Sequence, residues 1–406
     1  MSQQKPTVRR PQNAAPSRGT AAKRPSAAKS GFTAALDREV KKIRARIAAK
    51  KEEKRAYLAS LSPKQRARMK KRRAKKIRLV VWRSVLAFLT ALAVVVVALL
   101  AAGLVVFRGP SQSFGDLVTV TMLETSALKF IPYMYYSSET VDEIVARNQI
   151  IAPEEDTDTS LIVINSGTEE TQDAQDYEDI EIHEVSGSTF KGYMMVVRDP
   201  SRVGVGTCAD KFTSSGGKRL HEIAERYNAV AAINGGGFED DGGTGNGGQP
   251  RGVVISGGKV MNKSGGNKYR LLIGFDADNK LIMGDKMSVS RAQELGIRDA
   301  VMFGPALVVN GEPCQVSGAS SGLNPRSAIG QRADGAVLML VIDGRTANSL
   351  GATLADEIDL MIEYGAVNAA NLDGGSSAMM YYNGEYVNKG VVLTGSRRLP
   401  TAFIVR

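Results

Sequence analysis

The 406-residue chain holds two histidines, two cysteines and one tryptophan. His183 lies in an acidic stretch and His221 in a segment patterned as a helix. With so few, a serine–histidine or thiol–imidazole constellation has no basis, and no His/Cys set has the spacing of a zinc site. Cys208 and Cys314 are the two thiols; on an oxidising exterior they either pair or stay as buried free thiols, and their separation decides neither. Charge is missing in two places. Residues 85–107 carry none, and residues 152–186 carry 12 acidic residues but no Lys or Arg.

Charge that is present is divided unevenly. Residues 1–84 hold 27 Lys and Arg against 4 Asp and Glu, and the rest of the chain 26 against 38, so a basic tail precedes an acidic body. Residues 1–31, rich in Pro, Ala, Ser, Lys and Arg, are too poor in large apolar groups to offset chain entropy and are expected to be disordered. From Phe32 to Leu61 the composition is helical. Ser62-Pro63 then reads as an N-cap and first helical position, opening a second basic helix through Lys76.

The 23 uncharged residues Val85 to Phe107 match the hydrocarbon thickness of a bilayer. Basic residues flank the N-terminal side, which places residues 1–84 in the cytoplasm and the body outside, as a single-pass signal-anchor. The span is too long for a signal-peptide core and too far from Met1. Anionic lipid then accounts for the basic run Lys70–Lys76, and no nucleic-acid partner is expected.

Beyond the span, residues 108–151 form a membrane-proximal segment to which the sequence assigns no chemistry. Ser138-Glu139-Thr140 opens a short helix there, with Val141, Ile144 and Val145 on one face. Residues 152–186 read as a solvated acidic linker. Residues 187–406 form the exported domain, of α+β class: a mixed sheet with flanking helices. Its strands are expected at Lys191–Val197, Ala229–Ile233, Leu271–Asp276, Ala306–Asn310, Ala336–Ile342 and Ala366–Leu372. A helix over Thr353–Tyr364 carries Thr353 and Asp356 as a capping box, and Gly235–Gly257 reads as a long glycine-rich loop.

Four segments carry the chemistry. Asn371-Leu372-Asp373-Gly374-Gly375-Ser376-Ser377 ends an apolar run in a carboxylate, two glycines and two hydroxyls. Glycine there permits close backbone approach, and hydroxyls with exposed N–H groups offer hydrogen bonds. Asn234-Gly235-Gly236-Gly237-Phe238 and Ile342-Asp343-Gly344-Arg345 repeat the pattern of a strand ending in a polar group and glycine, and Pro325-Arg326-Ser327-Ala328-Ile329-Gly330 sets an arginine beside an apolar segment.

In this order the four segments resemble the phosphodiester glycosidase family, over about Gly187 to Arg406. The resemblance implies hydrolysis of a sugar-1-phosphodiester in a cell-envelope or exopolysaccharide-type extracellular glycopolymer. It places Asp373, Asp343, Arg326 and Asn234 in catalytic positions, with Arg326 as phosphate clamp and the two aspartates as the carboxylate pair. Gly235, Gly236, Arg345, Gly374, Gly375, Ser376 and Arg397 would contact substrate. Those residue types suit the reaction, because a guanidinium binds phosphate by two parallel bonds and carboxylates serve as acid, base or nucleophile.

The chain departs from the family's pattern at Asn324, where bacterial relatives often have His before Pro-Arg, and at Gly237, where Phe is common. The first departure keeps a second reading open: a non-catalytic envelope protein binding phosphorylated glycan in the same cleft. No cofactor is required by these residues. Glu239-Asp240-Asp241 with Asn246 has the hard oxygen ligands that Ca²⁺ takes, or is simply solvated.

Overall fold

The computed structural model of the chain describes residues 31–125, 127–153, 156–164, 179–213, 216–240, 245–264, 271–319, 321–388 and 396–406. The expected disorder of residues 1–30 and the contribution of Asp241 to the acidic loop fall outside them. Good helix formers give a first helix, α1, at Gly31–Ser60. A second, α2, runs unbroken through Pro63–Arg108, joining the basic helix and the uncharged stretch into 46 residues. Pro63 stands at its first position, and Ser62 and Gln65 cap it reciprocally: Ser62 N–H donates to Gln65 Oε1 at 2.9 Å and Gln65 N–H to Ser62 Oγ at 3.4 Å. α2 is long and apolar enough to cross a membrane, and no part of its most apolar window is buried against protein. The described residues form two compact units that divide at Val94.

In the second unit the segment expected to be membrane-proximal, residues 108–151, contains two helices, α3 (Gln112–Leu123) and α4 (Ser138–Arg147), capped by the side chains of Ser111 and Ser137. Arg147 grips Asp116 with two bonds of 2.7 Å, and Asn148 Nδ2 adds a third at 3.2 Å. The arginine bonds hold the Asp116 carboxyl below the usual carboxylate range. The segment is stitched to residues 187–406 as well. Leu323 N–H donates to Thr121 Oγ1 at 2.9 Å, and Ile150–Ile151 pairs antiparallel with Gln315–Val316.

Residues 187–406 do not stand alone. Ile180–Ser186, expected as the end of an acidic linker, is the edge strand of a seven-stranded sheet and pairs along its length with Lys191–Val197. Earlier in the same stretch, Asp158 N–H donates to Asn310 Oδ1 at 2.7 Å and Thr157 Oγ1 to the Met283 carbonyl at 2.9 Å. Ile180 and Val185 are buried and Ile182 half-buried, and the full-length pairing with Lys191–Val197 outweighs the acidic composition, since an edge strand of an antiparallel sheet tolerates polar, exposed positions.

The α+β class holds, but the single mixed sheet does not. Among the described residues every strand pair is antiparallel, and there are three larger sheets, of seven, five and five strands. Helix Leu354–Glu363 does connect two strands of like direction, Val337–Ile342 and Ala366–Asn371, and Arg326–Arg332 lies between them, antiparallel to both. The crossover skips one strand, so it creates no parallel ladder. Thr353 and Asp356 form the expected capping box. The glycine-rich loop ends sooner than expected, at Arg251, because Gly252–Ser256 forms a strand. All six residues of Val337–Ile342 are buried, in the core shared by the sheets, where Phe275 and Phe403 meet edge-to-face at 6.2 Å. Cys208 and Cys314 are both buried and unpaired, in separate clusters of that core.

Candidate active site

Strand ends converge on the site. Asn234 closes Ala231–Asn234, Asn371 closes Ala366–Asn371, and Arg326 opens Arg326–Arg332. Their registers bring Ala328 opposite Asn371 and Asn234 opposite Ala402. Beyond these ends lies a pocket of about 880 Å³ whose wall includes Asp373, Gly374, Gly375, Ser376, Arg326, Arg345 and Arg397. Seven of the eleven residues anticipated from the sequence thus share one cavity.

The others have different places. Asn234 is fully buried, with Oδ1 accepting from Ser327 Oγ at 2.8 Å and from Met379 N–H at 3.2 Å, while Nδ2 donates to the Asp373 carbonyl. Gly235 and Gly236 are glycine for packing, since a Cβ would come within 2.7 Å of Thr401 Oγ1 or 2.8 Å of the Met302 carbonyl. Asp343 is outside the pocket wall. Its Oδ1 accepts from Asn388 Nδ2 at 2.9 Å, and Asn388 in turn holds the Ala378 carbonyl and the Met380 N–H, at 3.0 and 2.8 Å. The two aspartates therefore face different surroundings.

The arginines differ too. Arg326 is 5% exposed, and its donors go to the carbonyls of Ala352 (3.1 Å), Ser321 (3.0 Å) and Gly322 (2.9 Å). Its Nη1 faces Glu124 at 3.3 Å. Arg345, in a left-handed backbone conformation at φ 58°, donates from Nη2 to Asn324 Oδ1 at 3.0 Å. Desolvation pulls its guanidinium below the usual arginine range, against the field of Glu124. Arg397 donates to Ser376 Oγ at 2.8 Å, pairs with Asp240 at 2.5 Å and lies over the Phe238 ring at 4.8 Å. Asp240 is thereby committed to an arginine and to the Gly245 N–H, at 2.6 Å, and no group of three or more His, Cys, Asp or Glu with metal-site geometry occurs among the described residues.

Glu124, at the end of α3, was missed by the sequence reading, as were its neighbours in the wall, Leu123 and Lys129. Asn324 Nδ2 donates to Glu124 Oε2 at 2.7 Å. Glu124 lines the pocket, and burial among the surrounding groups pushes its carboxyl above the usual range, opposed by the charge of Arg326. Only long-range contacts put it there, so no local pattern in residues 108–151 could have found it. His221 meets the hydroxyl of Tyr386 at 3.1 Å, and His183 pairs with Glu181; neither lines the pocket.

Residues 227–406 match the family model described as phosphodiester glycosidase. Over 185 residues the chain is 29% identical to the SPbeta prophage-derived uncharacterized protein YomE of Bacillus subtilis (strain 168), covering 44% of this chain and 28% of that relative. The chain therefore spans under a third of the length of this curated relative. Among solved structures, the catalytic domain of zebrafish N-acetylglucosamine-1-phosphodiester alpha-N-acetylglucosaminidase, auto-inhibited by its pro-peptide, is similar at 22% identity and a TM-score of 0.47, over 57% of this chain and 85% of that one. A putative exported protein of Burkholderia pseudomallei K96243 is similar at 16% identity and a TM-score of 0.41, over 53% and 74%. The four segments read from the sequence all lie within residues 227–406, the part of this chain that matches the phosphodiester glycosidase family.

Proposed function

We propose that the chain is a membrane-anchored hydrolase that cleaves a sugar-1-phosphodiester of the cell envelope or an extracellular glycopolymer, with its tail in the cytoplasm and the second unit outside. The family supports a glycosidase-type activity. One observation supports the rest: the same pocket is lined by Asp373, by Arg345 and Arg397, and by the glycine-rich loop Gly374-Gly375-Ser376 that follows a central strand, with Glu124, Asp240 and Asp285 as its other carboxylates.

In this reading Arg345 is the phosphate ligand, because Asn324 engages only its Nη2 and the group lines the pocket. A fixed cation there stabilises the charge that builds on the departing phosphate. Asp373 is the carboxylate at the sugar carbon, and Gly375, at φ 62°, brings the backbone within reach of Arg345. Arg326 acts indirectly, by holding the Ser321–Gly322 backbone, and Asn234 by latching the Asp373 carbonyl. Asp343 is a positioning residue for the hairpin that Asn388 ties. The anchor reading rests on α2 and on the basic flank before its apolar run.

The test uses the full chain in detergent, with N-acetylglucosaminyl phosphodiesters and envelope polymers, beside Asp373→Asn and Arg345→Ala. Sugar released by the parent and lost in both variants supports the hydrolase. Binding without turnover, abolished by the same variants, supports a glycan-binding protein instead.

A further inference from the structure

The membrane-proximal segment is fastened to the last turns of α2. Tyr135 stacks on Phe107 with ring centroids 4.8 Å apart, and its carbonyl accepts from Arg108 Nε at 3.0 Å. Its hydroxyl reaches back to the Leu100 carbonyl at 3.3 Å. Tyr136 bonds the Phe107 carbonyl and meets the Phe107 ring edge-on at 5.7 Å. Gly103 makes the approach fit, since a Cβ there would collide with the Tyr135 hydroxyl. From Leu100 to Arg108 the helix rises about 12 Å. The turn at residues 132–136 thus descends alongside the outer end of the uncharged run.

If that run spans a bilayer, as the proposed function has it, the turn lies at the membrane interface, where tyrosines are favoured. The same segment exposes Phe114 (51%), Leu128 (40%), Phe130 (58%), Tyr133 (49%) and Met134 (55%). Apolar groups so concentrated beside the end of a spanning helix need a cover, and the lipid is the one the attachment supplies. The segment is also a wall of the pocket, through Leu123, Glu124 and Lys129. One wall of the pocket therefore belongs to the element that meets the lipid.

We propose that the pocket opens at the membrane surface and takes a membrane-borne glycosyl phosphodiester, whose alcohol other than the sugar is a lipid. This inference rests on the hydrolase reading and narrows its substrate. The bond broken is that between the sugar's anomeric carbon and the phosphate oxygen, which keeps the electron pair. Water supplies hydroxyl to the carbon and a proton to the phosphate or solvent. The lipid monophosphate stays in the leaflet, and the free sugar leaves in water.

Two measurements on the full chain in phosphatidylcholine–phosphatidylglycerol vesicles test it. In a Trp82→Phe, Phe130→Trp double variant, nitroxide-labelled lipid should quench the new indole. Lack of quenching overturns the inference, whatever the activity. Second, kcat/KM is compared for the N-acetylglucosaminyl phosphodiesters of farnesol and of methanol. The farnesyl compound should be favoured at least about tenfold, because its chain partitions to the surface on which the pocket opens. Phe130→Ser should reduce that preference and leave methyl-diester turnover unchanged. Equal values for the two diesters overturn the inference while the hydrolase reading stands. Turnover of neither, with a quenched indole, refutes the hydrolase and the lipid substrate together and keeps only the membrane seat.

Discussion

Asn324 donates its side-chain amide to the Glu124 carboxylate at 2.7 Å, and so joins the C-terminal domain to the segment that follows α2. The same carboxylate faces Arg326 Nη1 at 3.3 Å. A phosphodiester entering the pocket therefore meets an internal anion on the arginine side. Glu124→Gln should lower KM several-fold with kcat little changed, because the amide keeps the hydrogen-bonding size and loses the charge. The pH dependence has a definite sign. Burial raises the Glu124 pKa, so the neutral form persists above the ordinary carboxylate range, and KM of the parent should rise as pH rises through that value. A steady-state pH series on parent and Glu124→Gln checks this; a rise of equal size in both would dismiss Glu124 as its source.

Asp373 and Asp343 should separate in kinetics. Asp373 is in the pocket wall, and its loop is held through the backbone, by Asn234 and by its own N–H to the Gly235 carbonyl at 3.3 Å. Asp373→Asn should cost roughly 10³ or more in kcat with little change in Tm. Asp343→Asn loosens the Asn388 tie instead, and should reduce kcat modestly while lowering Tm. A loss at Asp343 as deep as that at Asp373, with Tm unaltered, would show that both carboxylates react.

Asn234 is a structural latch with a catalytic consequence. Asn234→Ala would leave Ser327 Oγ and the Met379 N–H without their acceptor in a fully buried place. The expected cost is about 2–4 kcal/mol of stability. The Asp373 loop would also lose its anchor, so kcat should fall more than stability alone predicts at temperatures where the variant remains folded. Denaturant melts and single-turnover assays on one preparation measure the two effects.

The legible part of this molecule was the part written in contiguous residues. Apolar runs ending in Asn234, Asp343 and Asp373 marked strand ends correctly, because alternation and glycine breaks are local signals. The capping box at Thr353 and Asp356 was likewise visible. Roles were less legible than positions. That Asn234 and Arg326 spend their polar atoms inside the protein depends on partners such as Ser327, Met379 and Ala352, which only the assembled sheets bring near. Glu124 was invisible for the same reason, and so was the strand Ile180–Ser186, which depends on its pairing with Lys191–Val197 rather than on its own acidic composition. The antiparallel pairing was hidden because a helix between two strands tells their direction but not which strand lies between them.

Glu357 should make stability fall between mildly acidic and mildly alkaline pH. It is fully buried on helix Leu354–Glu363, neither carboxyl oxygen has a hydrogen-bond partner, and burial pushes its pKa up to about 8 against the partial help of Arg326. A folded pKa above the unfolded value of 4.5 means that the neutral acid is favoured by the fold. Relative to low pH, its contribution is fully present below that unfolded value and is lost as pH rises to about 8. At neutral pH the unfolded chain gains by ionising while the folded one does not, a difference of about 3 kcal/mol at 1.36 kcal/mol per unit. Glu357→Gln should therefore flatten the fall in stability between mildly acidic and mildly alkaline pH, and Glu357→Met, which also removes the unpaired oxygens, should raise Tm most at the alkaline end. Urea melts of the full chain in detergent across that range decide the matter: parallel curves for parent and variants would mean that Glu357 is ionised in the fold, with water at its oxygens.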